Sequence, residues 1–256
     1  MAEERQTNYT IAESFELPSG GKIYSKAVNP HVELRSMTTR DEMKRCNPSN
    51  TQFKVLADII EDCMIEKPAI HVYDMALGDY EYLLHKLRIV TYGDEYKMAV
   101  RCPHCGEISD MTAHLNELKV KEFDQTKFEE ARVVVLPKSG HTVTLKFQTP
   151  RMLDEAEMKL KELKRKYKDA EVDFSILVTL TQVIDEVDGE KLNSVKLENF
   201  INKLPALDMR KIQNAIDTLN ACVGLDVDLF VNCHNCGGDV HTYFRFGQEF
   251  FRPTNI

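Results

Sequence analysis

Two short motifs, Cys102-Pro-His-Cys105-Gly and Cys233-His-Asn-Cys236-Gly, constrain this chain more than any other feature. Each closes a strand-like run, Tyr96–Arg101 before the first and Asp226–Asn232 before the second. The pattern predicts a strand, a tight turn with thiols at its first and fourth positions, and a return strand. Two such knuckles supply four sulfurs, the number a closed tetrahedral zinc site uses. The pairs are 131 residues apart. One ion shared by Cys102, Cys105, Cys233 and Cys236 would therefore tie the C-terminal part of the chain to its middle.

Two other chemistries fit the same cysteines. Cys-Pro-His-Cys is also a thiol-redox tetrapeptide, but redox thiols are activated at a helix N-terminus. Gly106-Glu-Ile-Ser-Asp-Met-Thr is a poor helix start, and Val240-His-Thr-Tyr-Phe reads as a return strand. Alternatively each pair could hold its own metal, completed by His104, His114, His234 or His241. His104 and His234 fall inside the turns, where a side chain usually points outward. Cys46, Cys63 and Cys222 are isolated, and an odd total of seven fits a reducing compartment better than a disulfide framework.

The chain also echoes itself. Phe15-Glu-Leu-Pro18-Ser-Gly20 returns as Val135-Leu-Pro137-Lys-Ser-Gly140, and Val32–Glu42 returns as Val143–Glu155. Ala76-Leu-Gly-Asp79 returns as Ala206-Leu-Asp208, and each copy then runs to its cysteine pair. The shared order predicts an α+β protein of two related halves, each a small β unit plus helices ending in a knuckle. We divide it into a polar arm at 1–14, a first repeat at 15–130 and a second at 131–256, the repeats forming one zinc-pinned unit.

Within the first repeat, Thr39 and Glu42 have capping-box spacing. Phe53, Leu56, Ile60 and Cys63 recur at helical spacing, and Asp79 reads as the cap of a helix carrying Leu83, Leu84, Leu87 and Val90. In the second, Thr149 caps a helix with Pro150 at its first position. Phe174–Val187 reads as helix by analogy with the first copy, followed by helices over Lys196–Leu204 and Asp208–Cys222. The aromatic tail (Phe244, Phe246, Phe250, Phe251, Pro253) reads as core packing.

Composition narrows function. A net charge of −8 argues against a general polyanion binder. A zinc-ribbon nucleic-acid binder is the rival reading. Around the knuckles, however, Lys97, Arg101 and Arg245 are outnumbered by Asp94, Glu95, Glu107, Asp110, Asp226, Asp228 and Asp239. No apolar stretch is long enough to span a membrane. No phosphate loop, His-Glu-x-x-His run or nucleophile elbow is present, so no catalytic residue is named and the chain reads as non-enzymatic.

Several segments together resemble a known family. They are Phe15-Glu-Leu-Pro-Ser-Gly-Gly-Lys-Ile-Tyr24, Val32–Glu42, Arg88-Ile-x-x-Tyr-Gly-Asp-Glu-Tyr96, Val100-x-Cys-Pro-x-Cys-Gly106, Leu118-x-Val120, Leu136-Pro-x-Ser-Gly140 and Gly247-x-x-Phe-Phe-x-Pro253. The chain is similar over about Phe15 to Pro253 to the T-even-type phage baseplate proteins, assigned as hub components or hub-assembly factors of contractile tails. Cys233-His-Asn-Cys236 departs from the more typical Cys-Pro-x-Cys while keeping both thiols. The resemblance implies a virion or virion-assembly protein made in the host cytoplasm. Its partners would be other tail proteins, with a homo-oligomer within the assembly compatible with that role.

Overall fold

In Val32-Glu-Leu, apolar residues alternate with a charged one, and the segment forms a strand whose Val32 and Leu34 point inward. This strand, β2 (His31–Arg35), pairs antiparallel with β1 (Ala12–Glu16), Phe15 opposite Val32. Three helices follow: α1 (Thr39–Arg45), α2 (Gln52–Cys63) and α3 (Leu77–Tyr92). Leu56, Ile60 and Cys63 on α2, and Leu83, Leu84, Leu87 and Val90 on α3, are buried as their spacing predicts. A hairpin of β3 (Glu95–Arg101) and β4 (Ile108–His114) ends the first series. The computed structural model describes residues 12–168, 171–244, 246 and 248–251. Most of the predicted arm, together with Arg245, Gly247 and Pro253, lies outside the described residues.

After α4 (Gln125–Arg132) the order recurs. Strands β5 (Val133–Val135) and β6 (Thr142–Leu145) pair, then α5 (Pro150–Lys166) and α6 (Ser175–Val183) lead into β7 (Ile184–Val187), which joins β6. Helices α7 (Ser194–Lys203) and α8 (Ala206–Ala221) precede a last hairpin, β8 (Asp228–Asn232) with β9 (Asp239–Tyr243). The architecture is α+β, helices mixed with small antiparallel sheets. β1 takes in Ala12–Ser14, and α4 runs through residues 130 and 131, where the sequence reading divides the halves.

Three local expectations need correction. The capping box is Thr38 with Asp41, one residue earlier than the Thr39–Glu42 spacing predicts. Asp41 wins because its carboxylate accepts from the Thr38 backbone N–H at 2.8 Å and also pairs with Arg35 at 2.8 Å. Asp79 is not a cap. It lies inside the first turn of α3, fully buried, and accepts from the Ser19 N–H (3.0 Å), the Ser19 hydroxyl and the Tyr24 hydroxyl (2.6 Å). Phe174–Val187 is not one helix. It turns to strand at Ile184, because Val187 pairs with Val143, and the turn at Asp188-Gly189 (φ 52° and 80°) folds the chain back.

The two series interlock. One core gathers the β1–β2 unit, α2 and α3, and it includes Phe244, Phe250 and Phe251 from the far end of the described chain. Burial of the tail aromatics thus accords with their core-packing reading. Arg88, only 1% exposed, fastens that tail. Its guanidinium donates to the carbonyls of Phe250 (3.2 Å), Gly93 (3.2 Å) and Glu95 (3.4 Å) and lies over the Tyr92 ring. A buried cation needs such partners to offset desolvation. The other core gathers β5–β7, α6, α7 and α8, with Phe128 from α4.

Asp154 on α5 reaches across to α2. Its carboxylate accepts from the backbone N–H groups of Phe53 (3.4 Å) and Lys54 (2.9 Å) and from the Tyr73 hydroxyl (3.0 Å). Helix α2 has no side-chain cap of its own from Thr51, so an acid about 100 residues away supplies it.

Candidate metal centre

The two hairpins are built alike at their tips. At the first, the Cys102 N–H donates to the Glu107 carbonyl (2.8 Å) and the Gly106 N–H to the Cys102 carbonyl (3.0 Å). At the second, the Cys233 N–H donates to the Gly238 carbonyl and the Gly237 N–H to the Cys233 carbonyl, both at 2.9 Å. The glycine after the fourth position has a positive φ in each, 75° at Gly106 and 69° at Gly237. Glycine adopts that conformation at little cost, so the sequence signal Cys-x-x-Cys-Gly has a direct backbone cause.

The tips meet. The Sγ atoms of Cys102, Cys105, Cys233 and Cys236 all lie within 4.8 Å of one another. Two of these separations cross between hairpins: 3.6 Å from Cys102 to Cys236 and 3.7 Å from Cys105 to Cys233. A tetrahedral ion with sulfur bonds of about 2.3 Å separates its ligands by about 3.8 Å. Disulfide sulfurs would sit at about 2.0 Å. The four cysteines are therefore arranged as a cage that could hold a metal ion. Cys102 and Cys233 are buried, while Cys105 and Cys236 face outward.

The electrostatics favour a cation. Backbone N–H groups of Cys236 and Asn235 point at the Cys233 sulfur and lower its pKa to about 6, and the Cys102 and Cys105 thiols act in the same direction. At Cys236 the Gly238 N–H also lowers the pKa, but the neighbouring sulfurs outweigh it and drive the thiol up to about 12. Four thiols this close cannot all ionise beside one another unless positive charge sits between them.

Three of the four candidate histidines are engaged elsewhere. His104 Nε2 bonds the Asp239 carbonyl (3.0 Å), His114 Nδ1 the Asp94 carboxylate (2.8 Å) and His241 Nε2 the Asp228 carboxylate (2.7 Å). His234 is exposed in its turn. The redox geometry is missing too, since each Cys-x-x-Cys leads into a strand, β4 or β9, and not a helix.

Sequence reasoning missed the supports around the cage. The His104 bond to Asp239 ties one tip to the other. The Asn235 amide donates to Cys105 Sγ at 3.8 Å. Gly238 has no room for a side chain, as a Cβ there would sit 2.6 Å from the His104 ring and 3.3 Å from Cys236 Sγ. Its adjacency to Gly237 was the only available hint.

Among the described residues no helix is long and apolar enough to cross a membrane. No curated protein and no solved structure matches this chain. The sequence profile of one family, described as T4 bacteriophage base plate protein, matches residues 9–252, nearly the whole length. With that extent of match, the chain belongs to the T4 bacteriophage base plate protein family.

Proposed function

We propose that this chain is a non-enzymatic structural or assembly protein of the baseplate hub, in which one zinc ion pins two related halves in a fixed geometry. Cys102, Cys105, Cys233 and Cys236 are the ligands. The observation that carries the reading is the gathering of four sulfurs, from pairs 131 residues apart, within 4.8 Å. Zinc suits this donor set because an all-thiolate tetrahedral site is closed, leaving no open position for substrate or water.

The duplication is supported by more than motif order. The turn after Leu17-Pro18 gives its Ser19 N–H to Asp79, and the turn after Leu136-Pro137 gives the Lys138 and Ser139 N–H groups to Asp208, both at 2.8 Å. Both aspartates are fully buried in the first turn of the helix that leads toward a cysteine hairpin. Even β7 has a counterpart, a single bridge from Leu34 to Met64 where the second half pairs Leu145 with Ile184. Halves of 15–130 and 131–256 then form one unit, made in the host cytoplasm and presenting rigid surfaces to other tail proteins, with no role in binding nucleic acid.

Metal analysis of the purified protein should return one zinc per chain. Cys102→Ser should lose it and destabilise the fold by several kcal/mol or abolish folding. A variant that keeps full metal content would refute the site. Mass spectrometry of purified particles against infected-cell lysate assigns the role: retention marks a hub subunit, and loss marks an assembly factor.

A further inference from the structure

We infer that two copies of this chain pair edge to edge through β5, joining their three-stranded sheets into one continuous sheet about a two-fold axis. The sheet order is β5–β6–β7, so one side of β5 is open. The ladder fixes which groups face that side. The Leu136 N–H donates to the His141 carbonyl (2.8 Å), and two residues back Val134 stands opposite Val143. Bonded and non-bonded pairs alternate in an antiparallel ladder, so Val134 turns its backbone groups to β6 while Val133 and Val135 turn theirs outward. Thr142, opposite Val135, fits this pattern: it faces away from β5, and its carbonyl accepts the Asp188 N–H at 2.8 Å. The Val133 N–H closes α4 on the Glu130 carbonyl. Among the described residues, the Val133 carbonyl and the Val135 N–H and carbonyl are left without a partner.

Sheet edges left in water are usually blunted with charge. β1 is such an edge. It enters the Leu17-Pro18 turn by the matching bond, from the Leu17 N–H to the Pro30 carbonyl at 2.8 Å, and its outward residues there are Ser14 and Glu16. At the same two positions β5 carries Val133 and Val135, 52% and 64% exposed. They fill no core, since only Val134 of the three is buried. A charge-free, β-branched edge is a template for another strand.

The edge is complementary to itself. It overlooks a groove of about 360 Å³ against α8, and the charged residues lining that groove are Glu130 and Lys211. Both are exposed, and neither forms an ion pair with another described residue. They stand at opposite ends of β5. Glu130 precedes Val133 on α4, while the Lys138 and Ser139 N–H groups donate to Asp208, placing the start of α8, and Lys211 with it, toward the Val135 end. Antiparallel pairing centred on Val134 brings Glu130 of each copy toward Lys211 of the other. The same register sets the Val135 N–H of each copy opposite the Val133 carbonyl of the other, which are groups left open in the single chain. Opposite charges, and no like charges, then face across the seam. A two-fold contact of this kind closes at two copies. The inference depends on neither the metal nor the baseplate role.

Sedimentation velocity of the full chain under reducing conditions tests it. The wild type should pass from monomer to dimer as protein concentration rises, and grow no further. Val135→Lys puts a charge on the open edge and should weaken dimerisation about tenfold or more. Glu130→Lys and Lys211→Glu each oppose like charges and should weaken it, whereas Glu130→Lys/Lys211→Glu reverses the pair and should recover most of the loss. These variants alter exposed side chains, so thermal melts at a dilution where the wild type is monomeric should be unchanged. A wild type that stays monomeric overturns the inference, even if its edge accepts a foreign strand. So does undiminished association of Val135→Lys, growth beyond two copies, or a double variant no better than the singles.

Discussion

Asp154 carries an unusual share of the load for one side chain. It is fully buried, ends α2 from another element and accepts the Tyr73 hydroxyl. Asp154→Ala leaves two helix N–H groups and a phenol without a partner, at an expected cost of about 2–4 kcal/mol. Urea unfolding measures it, and a loss below about 1 kcal/mol would contradict the assignment. Glu81 offers a test by pH. Burial pushes its pKa up to about 7, with Lys121 pulling the other way. Its folded pKa exceeds its unfolded one, so the folded state holds the extra proton and stability falls as pH rises from about 4.5 to 7. Glu81→Gln should match the wild type near pH 4 and exceed it by on the order of 2 kcal/mol above pH 7. A constant difference across that window would rule the mechanism out. The sequence announced neither residue. The four cysteines were legible because spacing and a following glycine encode their turn locally. Asp154 was not, because its partners lie about 100 residues away in the sequence. Asp79 was misread as a cap, since the local rule cannot see that Ser19 and Tyr24 reach it first.

At the level of elements, α3 and the loop after α8 approach closely through Gly78 and Gly224. A Cβ on Gly78 would sit 2.2 Å from the Val223 carbonyl oxygen, and one on Gly224, at φ 118°, would meet the Gly78 Cα at 3.0 Å. Backbone cannot step aside as a flexible side chain can. Gly78→Ala should therefore separate the helix from the loop and lower stability by several kcal/mol, read as a fall in the melting temperature. Gly93→Ala is the control. Its Cβ meets nothing within 4 Å, and only its φ of 86° resists, so the expected cost is about 1 kcal/mol. Equal effects from the two would show that packing is not the cause. Helices were well read at this scale, because apolar stripes such as Leu83, Leu84 and Leu87 are a periodic signal. The strand at Ile184–Val187 was not, since four residues following a helix carry no period of their own and owe their state to pairing with β6.

For the whole molecule, interlocking sets the unit of folding. Phe250 and Phe251 fill the core built by α2 and α3, and α5 caps α2. A fragment of residues 1–130 lacks these parts and should not unfold cooperatively when expressed alone, whereas mixing it with residues 131–256 should restore a single transition. Calorimetry of each fragment and of the mixture distinguishes this from two independent domains. The α+β class was legible in the strand-like runs and helical stripes. The packing of Phe250 and Phe251 against α2 and α3 was not, because local patterns are silent on which distant segment a side chain serves.

Cys102 and Cys105 on one hairpin and Cys233 and Cys236 on the other have a kinetic corollary. While the polypeptide is being synthesised, the early pair alone offers an ion two sulfurs and no enclosure, so capture there is weak and reversible. Under the proposed metal reading, tight capture would wait until the late hairpin has emerged and docked. Metal uptake would then be a timestamp on maturation, separating finished molecules from stalled ones.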